Sequence, residues 1–342
     1  MRVLKRILSI LATLILAILI IYGLAMLFGK QILYPKFSSR ADKWVRIPAL
    51  STGFTPQGVS YLEEEGCTLI CGYYSGNEAS RIFMVYGDGT VKEIPLKRES
   101  GEVYTGHAGG LTAAGDYVYI SNASKLFVLR TSDLLKAASG EYVAFIGNIP
   151  VPCRASFCSS DGKYVYVGDY HAVGYETDES HRIQTADGEY QAMVFAYKLD
   201  EDMEFGLKNY PFFAFAVRDF VQGFTVHDGK AIMSCSYSFS SSKLYTYDIG
   251  SADRTFVQDG RTIALFILDS RKQTDELRMP HMSEDVEVHD GKLLVGFESA
   301  AKKMLAGFVP CSIKNVMVLP LRIMQKSGGE RRSPVCTSGV FL

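Results

Sequence analysis

The sequence has almost no net charge and lacks the short motifs by which many active sites are identified. Its 36 Lys and Arg residues are balanced by 37 Asp and Glu residues, which leaves a formal net charge of −1. It contains no glycine-rich phosphate-binding loop and no Gly-x-Ser-x-Gly turn. Basic and aromatic residues are not interleaved in any stripe, so we expect no nucleic-acid partner.

Cysteine is sparse and lacks metal-binding spacing. The seven cysteines are an odd number, and no two of them form a Cys-x-x-Cys motif. Cys67 and Cys71 are four residues apart in a predicted strand, which separates them by about 13 Å, too far for a disulfide. We therefore interpret most cysteines as small buried apolar residues.

Residues 7–28 are uncharged and rich in Leu and Ile. At about 1.5 Å per residue, a helix of this length spans the roughly 30 Å hydrocarbon core of a bilayer. Arg2, Lys5 and Arg6 precede it, so the positive-inside rule predicts a cytoplasmic N-terminus and an extracellular remainder. The sequence thus predicts a single-pass cell-membrane protein. The alternative is a cleaved signal peptide, whose apolar region would usually be shorter.

After this segment, one pattern occurs five times. Each copy starts with polar or small residues, continues into an apolar strand, and is followed by a turn and a second strand. The copies start at Gln57-Gly58-Val59, Gly109-Gly110-Leu111, Ala155-Ser156-Phe157, Gln222-Gly223-Phe224 and Glu284-Asp285-Val286. Four of the turns contain Asp-Gly or Gly-Asp, which permits the positive φ angles of tight hairpins.

A third strand follows in every copy, and fourth strands are less regular. The fourth-strand candidates are Val91–Leu96, Tyr142–Ile149, Pro211–Val217 and Thr262–Leu268. The fifth copy has none, so we expect the isolated strand Trp44–Ala49 to close a ring as the outer strand of the last unit. The sequence therefore predicts an all-β, five-bladed β-propeller with one N-terminal transmembrane helix. A six-bladed propeller and a β-sandwich are the alternatives.

The predicted organisation has five parts along the chain. The tail is predicted to be disordered because it is rich in Lys, Arg, Ser and Gly. The parts are a cytoplasmic segment (1–6), the transmembrane anchor (7–28), a linker (29–43), the β-propeller (44–321) and the tail (322–342).

The repeats also predict a site. In a propeller, the first strands begin and the second strands end at one face, called here the top face, so their polar residues converge on the mouth of the central channel. The predicted ligand-binding residues are Gln57, His107, Arg154, Asp169, His171, Gln222, Glu284 and Glu298. Because neighbouring residues in a strand point to opposite faces, we expect only Glu284, and not Asp285, to face the channel.

Three of the polar residues are catalytic candidates: His107, His181 in the long insertion 172–190, and Glu284. Imidazole can move a proton near neutral pH. Glu284 and His107 are also the metal candidates, and a divalent cation such as calcium is the cofactor that they would hold.

Several of these residues have structural alternatives. Gln57 and Gln222 could hydrogen-bond to loop backbone at the start of their blades. Arg154 could grip a ligand carboxylate or phosphate, or could neutralise Glu284 or Asp285 across the channel.

Six short segments carry a resemblance to a group of bacterial membrane-anchored propeller proteins. The group has no assigned activity, so the resemblance, which covers roughly residues 50–321, implies fold and location only. The segments are Thr55-Pro-Gln-Gly-Val59, Gly106-His-Ala-Gly-Gly110, Tyr175-Glu-Thr-Asp-Glu-Ser-His181, Val221-Gln-Gly-Phe224, Met282-Ser-Glu-Asp-Val286 and Phe297-Glu-Ser-Ala-Ala-Lys-Lys303.

More distantly, the chain is similar to propellers of the lactonase and strictosidine-synthase type. That similarity implies a divalent cation at the channel mouth, held by Glu, Asn and Asp side chains. Glu284 would match the Glu, whereas Gln57, His107 and Gln222 stand where an Asn would be expected.

Three functions are compatible with these observations. The first is the binding of a small polar ligand, a glycan or an envelope protein at the top-face channel mouth. The second is a metal-assisted hydrolase or lyase that uses the same pocket on an ester, lactone or sugar. The third is a structural partner in an envelope complex. Binding is favoured because no pair of nucleophile and base stands out.

Overall fold

The computed structural model describes residues 2–304 and 309–321, so the predicted tail 322–342 lies outside the described residues. The first helix, α1 (Arg2–Leu33), is exposed, has a mean hydropathy of 2.8 in its most apolar stretch, and is long and apolar enough to cross a membrane. It continues beyond Phe28, where the predicted anchor ends. A short helix, α2 (Pro35–Ser38), and the first strand, β1 (Asp42–Arg46), follow it.

Five sheets, the blades, are arranged around one axis, and a separate two-stranded hairpin lies in an insertion. Blade 1 contains β2 (Phe54–Leu62), β3 (Cys67–Tyr74), β4 (Arg81–Tyr86) and β5 (Val91–Lys97). Blade 2 contains β6 (Gly110–Ala114), β7 (Tyr117–Asn122), β8 (Lys125–Arg130) and β10 (Gly147–Pro150); α3 (Thr131–Lys136) and β9 (Val143–Ala144) lie between the last two in sequence. The strand β9 runs parallel to β5 at the outer edge of blade 1.

The other three blades are built in the same way. Blade 3 contains β11 (Phe157–Ser160), β12 (Tyr164–Gly168), β15 (Ala192–Lys198) and β16 (Phe213–Val217), with the hairpin β13 (Ile183–Thr185) and β14 (Gly188–Tyr190) in its insertion. Blade 4 contains β17 (Val221–His227), β18 (Lys230–Cys235), β19 (Ser242–Asp248) and β22 (Gln273–Met279). The hairpin β20 (Arg254–Gln258) and β21 (Arg261–Ile267) extends blade 3. Blade 5 contains β23 (Ser283–His289), β24 (Lys292–Phe297) and β25 (Asn315–Pro320). Short helical turns lie at Glu63–Glu65, Glu179–His181, Glu204–Gly206 and Lys302–Met304.

The ring closes as the sequence predicts, because β1 pairs antiparallel with β25 and completes blade 5. The inner strands β2, β6, β11, β17 and β23 each lie beside the inner strands of the two neighbouring blades. Five clusters of buried apolar side chains fill the five interfaces between blades. The five-bladed prediction is therefore confirmed.

One fourth-strand prediction is partly wrong and another is wrong. Residues Tyr142–Ile149 divide between β9 in blade 1 and β10 in blade 2. Residues Thr262–Leu268 form most of β21, which pairs parallel with β16 of blade 3, and blade 4 ends instead with β22. An outermost strand buries few side chains, only Leu277 and Met279 in β22, so the polar sequence of β22 gave no hydrophobic signal.

Glycines in the inner strands allow neighbouring blades to approach each other closely at the axis. A Cβ atom added at Gly58 would lie 2.4 Å from the backbone nitrogen of Leu111 in the next blade, and one added at Gly110 would lie 2.4 Å from that of Cys158. At Gly223 it would lie 2.6 Å from the Cα atom of Asp285. The glycines of the repeated sequence pattern are thus required by blade packing.

Replacing Gly58 with alanine should therefore destabilise the fold, because the added methyl group meets backbone that cannot move aside. We expect a loss of about 1–3 kcal/mol in the free energy of unfolding, measured by denaturant titration of the detergent-solubilised chain. Gly296→Ala is the matched control, since its Cβ atom would make an ordinary 3.6 Å contact. Equal effects of the two substitutions would contradict this explanation of the glycine pattern.

Candidate functional site

Three inner strands carry a bulge at the same level, near the top face. In each, the pairing register with the second strand shifts by one residue, which re-aims the side chains at the bulge. The shifts lie between Pro56 and Val59, between Val221 and Gly223, and between Ser283 and Val286. The bulged segments contain Gln57, Gln222 and Glu284, so a local backbone irregularity brings polar side chains from three blades to one opening.

These side chains line a cavity of about 730 Å³ at the mouth of the channel. Six of the eight predicted ligand-binding residues lie in its wall, contributed by all five blades and their loops. They are Gln57, His107, Arg154, Gln222, Glu284 and Glu298. The repeats therefore predicted the convergence of these six side chains, whereas their binding of a ligand stays a prediction.

The deepest polar groups of the cavity are two carboxyls. Glu284 is only 2% exposed, and burial together with the nearby Glu298 carboxyl raises its pKa well above the ordinary value. Burial also raises the pKa of Glu298, which accepts a hydrogen bond from the Gln57 side-chain amide at 3.2 Å. The Lys303 ammonium lies 3.8 Å from Glu298 and partly offsets this effect. The pair therefore favours retention of a proton.

His107 lies in the adjacent wall, with its ring 4.6 Å from that of Tyr73. The Lys303 ammonium stands over the Tyr73 ring, 4.4 Å from its centre. Although the imidazole is exposed to the cavity, the surrounding protein and the Lys303 charge lower its pKa below the ordinary 6.5. His107 is therefore a neutral group at pH 7, able to accept a proton or a hydrogen bond.

The opposite rim is aromatic and cationic. Tyr170 meets Tyr175 edge-on, with ring centres 5.6 Å apart, and the Arg154 guanidinium lies 5.8 Å from the Tyr175 ring centre. Arg154 donates a hydrogen bond to the carbonyl of Glu176 at 2.9 Å. Within residues 2–304 and 309–321 it forms no ion pair with Glu284, and it lines the cavity with its charge available to a ligand.

The side-chain amides of Gln57 and Gln222, at the starts of blades 1 and 4, differ in their hydrogen bonding. Gln57 donates to the backbone carbonyl of Pro56 at 2.8 Å as well as to Glu298, so its orientation is fixed by the protein. The Gln222 side chain lines the cavity without a hydrogen bond to any described residue. Gln222 is therefore the amide that remains available to a ligand.

Asp169, His171 and His181 do not line this cavity. Asp169 is fully buried and accepts hydrogen bonds from the backbone N–H groups of Arg154 and Met193 at 2.8 and 3.2 Å. Its third partner is the His181 ring, 2.7 Å away, and this contact attaches the long insertion to blade 3. His171 contacts Asp219 at 2.9 Å in the same way. A structural role explains the contacts of all three.

The prediction that only Glu284 faces the channel is wrong. The bulge interrupts the two-residue alternation of β23, so Asp285 also points to the axis, where it accepts a hydrogen bond from the Leu111 amide of blade 2 at 3.5 Å. Burial and the nearby Glu287 carboxyl raise its pKa well above the ordinary value.

Below Asp285, Glu287 joins three blades. Its carboxyl accepts hydrogen bonds from the Ser60 hydroxyl at 2.5 Å, the Tyr61 amide at 3.0 Å and the Thr112 hydroxyl at 3.0 Å. Burial raises the pKa of Glu287 to about 7, although these donors favour the ionised form. The inner strand of blade 5 thus supplies a column of buried carboxyls along the axis.

Several residues of the cavity were absent from the predicted set. Lys303 and Met304 come from the blade 5 insertion, and Tyr175 comes from the blade 3 insertion. Their positions depend on the folding of long loops, which strand periodicity does not describe. Tyr237, two residues beyond the end of β18, is one of the second-strand ends that the repeats place at this opening.

The donor set does not fit a metal ion. Within the described residues, no group of three or more His, Cys, Asp or Glu side chains is placed to hold one. His107 packs against Tyr73, and the carboxyls of Glu284 and Glu298 have Lys303 beside them.

A larger groove of about 900 Å³ runs along the outside of the molecule between blades 1 and 5. It is lined mainly by apolar side chains such as Trp44, Ile47 and Val85, together with the cations Arg46, Lys302 and Lys314. Among the residues that the structure describes, no carboxyl or imidazole lines it. The smaller top-face cavity is therefore the better candidate for chemistry or selective binding.

Comparisons with known proteins show distant structural likeness only. No family model and no curated protein matches the chain. Among solved structures, a putative glucose dehydrogenase from Thermus thermophilus is 14% identical, with 82% of this chain and 99% of that chain covered and a TM-score of 0.41. The PQQ-bound aldose sugar dehydrogenase of Streptomyces coelicolor is 16% identical, with 75% and 78% covered and a TM-score of 0.37. A gluconolactonase from Xanthomonas campestris is 10% identical, with 82% and 95% covered and a TM-score of 0.37.

Burial of the carboxyls along the axis predicts that the stability of the fold depends on pH. Because the pKa of Glu287 is higher in the folded protein than its ordinary value of 4.5, the folded state binds this proton more tightly than the unfolded state. Its contribution to stability is complete below pH 4.5 and is lost as the pH rises to about 7. A difference of this size corresponds to about 3 kcal/mol.

Glu287→Gln should therefore flatten the decline in the free energy of unfolding between pH 4.5 and 7. Denaturant titrations at a series of pH values measure this slope. Substituting the exposed Glu99 with Gln is the control and should leave the slope unchanged. An unaltered slope in the Glu287 variant would show that this carboxyl does not titrate as its burial requires.

Proposed function

We propose that this chain is a membrane-anchored, extracytoplasmic binding protein whose top-face cavity captures a small molecule rich in hydroxyl groups, such as a sugar unit of a glycan. The observation that carries the proposal is the convergence of amide, carboxyl, imidazole and tyrosine side chains from five blades on one cavity. Its volume of about 730 Å³ lies within the range of small-molecule sites.

The polar groups of the cavity suit a neutral polyol better than a strongly charged ligand. Glu284 and Glu298 favour retention of a proton, so together they offer both hydrogen-bond donors and acceptors. His107 is neutral and Gln222 has free hydrogen-bonding groups. A hydroxyl group, which donates and accepts, can satisfy each of them.

The aromatic side chains support the same ligand class. Four tyrosines line the opening: Tyr73, Tyr170, Tyr175 and Tyr237. Tyrosine combines apolar contact area with a polar tip, so it can cover the C–H face of a sugar and bond to its hydroxyl groups. Arg154 adds a site for a carboxylate or phosphate substituent on the ligand.

The proposed location rests on α1 and its flanking charges. Arg2, Lys5 and Arg6 cluster before the apolar stretch, and this bias favours a cytoplasmic N-terminus. An uncleaved α1 then holds the propeller on the outer side of the cell membrane. In that position the cavity would meet extracellular glycans or envelope components.

A second candidate function is hydrolysis or elimination by acid–base chemistry. The specific observation is that Glu284 favours its protonated form while His107 is neutral, so a proton donor and a proton acceptor share one cavity. An ester, lactone or sugar placed between them would be the substrate. Turnover of a bound compound that Glu284→Gln abolishes without loss of binding would favour this function over simple capture.

To test the binding function, the detergent-solubilised full chain is titrated calorimetrically with neutral sugars, amino sugars and sugar acids. We expect at least one sugar to bind, and Gln222→Ala to weaken it about tenfold, because the substitution removes a hydrogen-bonding group from the cavity wall. The melting temperature of this variant should stay that of the wild type, since the Gln222 side chain forms no hydrogen bond to a described residue.

Gln258→Ala, on the outer hairpin of blade 3, is the matched control and should bind like the wild type. The proposal fails if no sugar binds, or if the Gln222 and Gln258 variants bind equally well.

A further inference from the structure

The position at which α1 joins the propeller is defined by contacts on the top face. The Tyr34 hydroxyl lies 3.1 Å from that of Ser241, which is in the loop between the second and third strands of blade 4. Gly29 packs against Cys311, in the corresponding loop of blade 5. The membrane-crossing helix therefore leaves the domain on the same face as the cavity mouth.

The next turn of chain fixes this junction firmly. Phe37 in α2 is fully buried and meets the ring of Phe297 edge-on at 6.0 Å. The Arg278 guanidinium stands over the Tyr34 ring at 5.3 Å. These contacts hold the base of α1 between blades 4 and 5, so the propeller has a defined orientation relative to the helix base.

The same face exposes large apolar side chains. In the loops of blades 3 and 4, five of them are 37–91% exposed, and they form what we call the apolar rim: Val173, Tyr175, Phe220, Tyr237 and Phe239. Phe220 and Tyr237 pack together with ring centres 4.9 Å apart. The other exposed large apolar residues of the described propeller are Val91, Val103, Tyr142 and Val257.

The apolar rim continues directly from the base of the membrane helix. Phe239 is two residues from Ser241, the partner of Tyr34. The uncharged stretch of α1 ends at Phe28, and Lys30 follows, as is typical of the level where a helix leaves the hydrocarbon for the headgroups. Tyr and Phe side chains at that level are stabilised in the interfacial region of a bilayer.

We propose that the apolar rim inserts into the headgroup region of the bilayer that α1 crosses, so that the cavity opens onto the membrane surface. The lipid surface is the occupant because the helix that enters it ends beside the rim. Ligands would then reach the site along the membrane plane, between the bilayer and the top face. This inference depends on α1 remaining attached, and it does not depend on the identity of the ligand.

Tryptophan fluorescence can test the proposal in the full chain reconstituted into phosphatidylcholine vesicles. The only tryptophan, Trp44, contacts Thr68, Tyr61 and His289 near the opposite end of the strands, and it is replaced by Phe. A single reporter is then placed in the rim as Phe239→Trp. Vesicles containing brominated phosphatidylcholine should quench its emission at least twofold.

Val257→Trp provides the matched control, because Val257 is 65% exposed on the outer hairpin of blade 3 and Phe239 is 55% exposed. Its emission should change little with brominated lipid. Val173→Trp serves as a second rim reporter if the first variant does not fold. Equal quenching at the rim and at position 257, or no quenching at the rim, would overturn the proposal. The latter result would show that the rim does not contact lipid.

Discussion

The close approach of five inner strands around one axis is the constraint on which the rest of the structure depends. At the level of the bulges, neighbouring strands leave no room for a Cβ atom at Gly58, Gly110 or Gly223. Strands this near to one another force the side chains at their top ends into a common space. The cavity is therefore a consequence of radial packing, and its polar character comes from the residues beside those glycines.

The same packing explains the unusual electrostatics of the axis. The carboxyls of Asp285 and Glu287 in blade 5 accept hydrogen bonds from backbone and hydroxyl donors of blades 1 and 2, and both are buried. Carboxyls that are desolvated in this way hold their protons more strongly, which couples the closure of the ring to pH. Glu284, at the top of the column, brings this property into the wall of the cavity.

The sequence predicted much of the fold because hairpin periodicity and turn glycines are local signals. The five strand pairs, ring closure by the segment that contains β1, and the convergence of Gln57 with Glu284 followed from them. The outer strand of blade 4 was missed because β22 is polar, and the role of Asp285 was missed because a bulge reverses the expected alternation. The positions of Lys303 and Tyr175 were missed because they depend on how long loops fold. The structural role of Asp169 and His181 was missed because it depends on a contact between an insertion and its blade.

A double-mutant cycle between Ser60 and Glu287 tests the convergence most directly. These residues are 227 positions apart in sequence, and their side chains are 2.5 Å apart at the axis. The free energies of unfolding of Ser60→Ala, Glu287→Gln and the double variant should show a coupling of about 1 kcal/mol or more. Additivity within about 0.5 kcal/mol would mean that blades 1 and 5 do not meet in this way, and would contradict the account.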